Sequence, residues 1–161
     1  MSENLPLVLF LDDIPDIREM LELKQKARDL PFEPVFAGSQ DEALAIVHNM
    51  PIVAAILDVN LMGESGASVA EQLHLHYPHI RKVFLTAYDR AMVHESAEEF
   101  EMDVIVKPIT MQDLIKCVMS LIRDGKVNCD AAREAHRLAR RTGPLTMPSA
   151  LRKITSSIFL M

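Results

Sequence analysis

Five short apolar runs constrain this chain more than any other feature. They are "LPLVLFL" (5–11), "EPVFA" (33–37), "IVAAILD" (52–58), "KVFLTA" (82–87) and "DVIVK" (103–107). Each is too short for a typical globular helix and rich in Val, Ile, Leu or Phe, which reads as strand. Three are nearly continuous in apolar character, as strands covered on both faces are. Helical patterns separate them. "SQDE" (39–42) is a capping box, in which Ser39 accepts from a backbone N–H and Glu42 reaches back. Ala43, Ile46, Val47 and Met50 follow at helical spacing. "TMQD" (110–113) repeats the device ahead of an apolar stripe at Met111, Leu114, Ile115, Val118, Leu121 and Ile122, which Gly125 ends. Pro15 suits a first helical turn, and further helices are predicted over 66–77 and 89–101. Strands alternating with helices predict an α/β fold: a doubly wound five-stranded parallel sheet with helices on both faces.

In such sheets ligands bind beyond the carboxyl ends of the strands. Here those ends carry Asp12 and Asp13, then Asp58, then Thr86, then Lys107 followed by Pro108. Three carboxylates crowded together resist joint ionisation. A divalent, oxygen-preferring cation removes the conflict, and Mg²⁺ takes few carboxylates while leaving positions for phosphate oxygens. A carboxylate nucleophile beside such a cation, a lysine and a hydroxyl is a set for phosphoryl transfer. Taken alone, the adjacent aspartates also suit a helix N-terminus, and a lysine before a turn is ordinary. The convergence of four strand ends decides for the site.

Residues 5–125 resemble the receiver domain of bacterial two-component response regulators, the chemotaxis-Y-like family, through "FLDD", "LDVNLMGESG", "FLTA" and "VIVKP". The resemblance implies a flavodoxin-like sheet of order 2-1-3-4-5. It implies that Asp58 accepts a phosphoryl group from a histidine kinase or a histidine phosphotransfer protein. It implies Mg²⁺, with Mn²⁺ as substitute, held by Asp12, Asp13, Asp58 and the backbone carbonyl of Asn60. Thr86, with Ala87 after it, and Lys107 would hold and sense the phosphate, and Lys107-Pro108 is a cis-peptide candidate. The chain departs from the family at Met62, where proline is usual, and at Val104, where an aromatic switch residue is common. Tyr88 stands where an aromatic influences phosphate lifetime. Gly63 and Gly66 are read as keeping the loop after Asp58 flexible.

The rest of the chain bounds the partners. Residues 126–161 carry seven Lys/Arg against Asp130 and Glu134, a net of +5, which leaves −11 on residues 1–125 of a chain of −6. The acidic body does not favour nucleic acid. The basic extension, helical by pattern with a break at Gly143-Pro144, is read as a dimerisation or docking element in preference to a linker to an effector domain or a basic nucleic-acid arm, so the expected partners are a downstream effector or a second copy. No apolar run reaches the roughly 18 residues of a membrane helix, and no signal peptide is read at the N-terminus. Two cysteines, Cys117 and Cys129, are too few for a disulfide scaffold. They are read as free thiols in a reducing cytoplasm. "HLHYPH" (74–79) is read as a surface helix, because His74 and His76 do not share a face. Two further classes stay in view: a pseudo-receiver that binds partners without phosphate, and a haloacid-dehalogenase-type phosphatase, whose Asp-x-Asp opening differs from the adjacent pair here. No independent turnover of a substrate is expected.

Overall fold

The computed structural model describes residues 5–12, 15–61, 64–87 and 94–125. Asp13, Met62, Gly63, Tyr88 and the extension 126–161 lie outside the described residues. Five strands, β1 (Leu7–Leu11), β2 (Glu33–Ala37), β3 (Ile52–Asp58), β6 (Arg81–Thr86) and β7 (Asp103–Val106), form one sheet in the order β2-β1-β3-β6-β7, all parallel. Counting only these five, the order is 2-1-3-4-5. A two-residue hairpin, β4 (Asn60–Leu61) and β5 (Glu64–Ser65), lies between β3 and the third helix. The helices are α1 (Pro15–Lys26), α2 (Gln40–Asn49), α3 (Gly66–His76), α4 (His94–Glu99) and α5 (Met111–Asp124).

The side-chain period of two divides the core cleanly. Leu9, Leu11, Ala55, Leu57 and Phe84 point to one face, against Ala43 and Val47 of α2, Val69 and Leu73 of α3, and Ala97 of α4. Val8, Phe10, Ala54, Ile56, Val83, Leu85 and Ile105 point to the other, against Leu21 of α1 and Leu114, Val118 and Leu121 of α5. Each strand is therefore apolar on both sides, which is why the runs read as continuous rather than alternating. Burying a Leu, Ile or Phe side chain is worth roughly 1.5–3 kcal/mol, so these two layers fix the height and register of every strand end.

The helix boundaries follow their caps. Glu42 N–H donates to Ser39 Oγ at 3.2 Å, and Glu42 Oε2 accepts from the N–H of Gly38 at 3.0 Å. Asp113 N–H donates to Thr110 Oγ1 at 3.1 Å, while Gly125 closes α5 at φ 71°, its N–H on Leu121 O. One expectation fails at Cys117, which is disulfide-bonded rather than a free thiol. The chain's other cysteine, Cys129, lies outside the described residues. The expectation rested on a count of cysteines, and a count does not decide whether a given thiol is free.

Candidate functional site at the carboxyl edge of the sheet

Parallel pairing brings the ends of β1, β3, β6 and β7 to one edge. Asp12 follows β1, and its N–H donates to Ala37 O at the end of β2 at 3.1 Å. Asp58 is the last residue of β3 and sits opposite Leu85, one residue before Thr86 ends β6. Lys107 follows β7, and its N–H donates to Thr86 O at 2.7 Å. Asp58 is 3% exposed and Thr86 fully buried, so both polar groups are held in the core at its rim.

The three charged groups meet. Lys107 Nζ donates to Asp58 Oδ2 at 2.9 Å and to Asp12 Oδ2 at 3.2 Å. One ammonium thus bridges two mostly buried carboxylates from two other strands. Burial alone lowers the lysine pKa. The hydrogen bond and charge of Asp58, with the charge and hydrogen bond of Asp12, outweigh it and raise the pKa above the usual lysine value. The ammonium is therefore charged throughout the neutral range, and the carboxylates have a cation beside them.

A third contact went unread in the sequence. Gly66 opens α3 against the end of β3, its N–H on Val59 O at 3.3 Å. A Cβ on Gly66 would lie 2.0 Å from the Asp58 carbonyl oxygen. Close approach, not loop flexibility, is what this glycine supplies, and that corrects the expectation for it. The signal available was a Gly eight residues after the strand-end aspartate, at a helix start. Asn60 lies in β4, two residues past Asp58. Ala87 is exposed just past Thr86. The Lys107-Pro108 peptide is cis. Val104, on β7 beside Phe84, is half-buried and packs on the α2–α4 face of the core.

Over residues 8–119 the chain matches the response regulator receiver domain family. It belongs to that family. Among curated receivers it is similar to an NtrX-like response regulator of Rickettsia typhi, 31% identical over 67% of this chain and 23% of that protein. It is also similar to the response regulator protein PilR of Pseudomonas aeruginosa, 26% identical over 85% of this chain and 31% of that one. The chain thus spans about a quarter to a third of the length of these two relatives. Among solved structures it resembles a CheY-like receiver domain from Methanospirillum hungatei, with TM-score 0.66 and 21% identity over 74% of this chain and 95% of that one. It also resembles the response regulator TrrA of Thermotoga maritima in complex with Mg²⁺-BeF, with TM-score 0.61 and 27% identity over 72% of this chain and 98% of that one.

The general function of receiver domains is to accept a phosphoryl group, and they depend on Mg²⁺ in general. The residues present fit that ion. Asp12 and Asp58 offer hard carboxylate oxygens that already converge on a cation, and the backbone of Asn60 lies just past Asp58. Asp13, the remaining ligand that the resemblance implies, is outside the described residues. Among the described residues no helix is long and apolar enough to cross a membrane.

Proposed function

We propose that this chain is a receiver whose Asp58 takes a phosphoryl group from the phosphohistidine of a histidine kinase or histidine phosphotransfer protein. The observation that carries the reading is the bridge from Lys107 to Asp58 and Asp12. An Asp58 carboxylate oxygen attacks phosphorus in line. The O–P bond forms as the P–N bond breaks, and the imidazole leaves with the electron pair. Lys107 follows the growing negative charge from the carboxylate to a phosphate oxygen, and the Thr86 hydroxyl donates to another. Asp12, Asp13, Asp58 and the Asn60 carbonyl would hold Mg²⁺, which when bound would neutralise charge on the phosphoryl oxygens. Asp58 is consumed and regenerated by hydrolysis, so the chain is a phosphoacceptor and not an enzyme with a separate substrate.

Phosphorylation shifts a two-state equilibrium and changes binding to a downstream protein or to a second copy. Val104 has no ring to swing between rotamers, so the change leaves the site through Thr86 and the main-chain bond that ties it to Lys107. The proposed setting is the cytoplasm, which rests on the family and not on the cysteines, since a disulfide such as that at Cys117 is rare there; nucleic acid is not a partner of the acidic body.

The test is phosphorylation of the full chain by acetyl phosphate, read by intact mass. Addition of one phosphoryl group that requires Mg²⁺ and disappears in Asp58→Asn supports the reading. Equal labelling of Asp58→Asn overturns the assignment of Asp58. Unlabelled wild type, with partner binding intact, turns the reading to the phosphate-independent pseudo-receiver.

A further inference from the structure

The histidine tract "HLHYPH" is divided by the fold among three surroundings. The His74 ring packs on Phe100 at 5.5 Å, and the His79 ring lies edge-on to Tyr77 at 6.4 Å. His76 instead lines an open groove of about 470 Å³ between α2 and α3, together with His48, Asn49, Gln72 and Tyr77. His48 and His76 thus come from different helices, 28 positions apart, yet face the same space. Both are exposed at the groove.

Three features prepare these imidazoles for a cation. The Tyr77 hydroxyl lies 3.2 Å from His48 Nδ1, and in the tautomer whose Nδ1–H donates to that hydroxyl Nε2 is the coordinating nitrogen. His48 and His76 both stand in the last turns of their helices, where the carbonyl ends carry partial negative charge. Asn49 Nδ2 is committed to Ala45 O at 2.8 Å, so the side chain's remaining acceptor is its carbonyl oxygen. Imidazole suits Zn²⁺, Cu²⁺ and Ni²⁺, whereas Mg²⁺ prefers all-oxygen sites. The groove and the carboxyl edge therefore select different ions.

We propose that the α2–α3 groove binds one divalent transition-metal ion, Zn²⁺ or its like, through His48 and His76. Among the described residues no three His, Cys, Asp or Glu side chains gather at metal spacing. The proposed site would thus have two imidazoles as its side-chain nitrogen ligands and leave the remaining coordination to water or an amide oxygen.

The experiment is calorimetric titration of the full chain with Zn²⁺ in excess Mg²⁺, added to compete for the carboxyl edge. The expected result is one saturable site that weakens on the order of tenfold or more in His48→Gln and in His76→Gln. Tyr77→Phe weakens it less, and His74→Gln and His79→Gln leave it unchanged. These are surface positions, so circular dichroism spectra should be those of the wild type. Absence of saturable Zn²⁺ binding, its persistence in the His48→Gln/His76→Gln double variant, or its loss in His74→Gln overturns the proposal.

Discussion

Strand β6 begins at Arg81 and ends at Thr86, and its two ends use a basic side chain in opposite ways. At the amino end, Arg81 Nη1 donates to the carbonyl oxygens of Leu121 and Ile122 and so closes the last turn of α5. Its acceptors are main-chain groups that any sequence would present, and the guanidinium sits at the solvent-facing edge. At the carboxyl end, Lys107 donates to side chains of Asp58 and Asp12, which only this sequence puts there. The first arrangement satisfies orphan carbonyls of a helix end. The second holds two buried charges that would otherwise repel. One contact serves the fold; the other, on the proposed function, serves a reaction, and substitutions should separate them.

The largest effect is expected at Lys107. Lys107→Met leaves two mostly buried carboxylates without their cation and should cost roughly 3 kcal/mol in metal-free buffer. Mg²⁺ should restore part of that loss, because an ion that binds only the folded state stabilises it. Urea unfolding with and without Mg²⁺ measures both, and acetyl phosphate labelling should fall sharply in the same variant. Next comes Gly66→Ala. Its new methyl meets the Asp58 backbone and should cost roughly 1–3 kcal/mol. Because the displaced atom belongs to the proposed acceptor residue, labelling should drop as well. Arg81→Ala sharpens the contrast from the other side. It should lower stability by roughly 1 kcal/mol while leaving Asp58 labelling at the wild-type level. A loss of labelling there would erase the distinction between the two ends.

The pH dependence is the smallest effect. The Lys107 pKa is raised in the folded state. Its contribution is fully present below the unfolded lysine value of about 10.4 and is lost as pH rises through the folded one. Denaturation curves of wild type and Lys107→Met should therefore keep a constant separation through neutral pH and converge only in strongly alkaline solution.

Much of this was legible because it is periodic or terminal. The five apolar runs became the five strands within a residue or two at each end. Ser39 and Thr110 marked helix starts by chemistry that acts within three residues. The strand-end groups at Asp12, Asp58, Thr86 and Lys107 could be assembled because parallel topology sends all carboxyl ends one way. What escaped depends on distance through space. Gly66 looks like any loop glycine until its approach to the Asp58 carbonyl is measured. Arg81 and Leu121 are 40 positions apart, and no local pattern pairs them. His48 and Tyr77 meet only because α2 and α3 pack side by side.

Locating the phosphoryl group decides whether Asp58 is the acceptor. Full-length protein treated with acetyl phosphate and Mg²⁺ should be digested under acidic conditions that preserve acyl phosphates, then mapped by tandem mass spectrometry. A single modified peptide is expected, with the added mass on Asp58. Modification at Asp12, at a histidine or at several sites, with Asp58 unmodified, would contradict it.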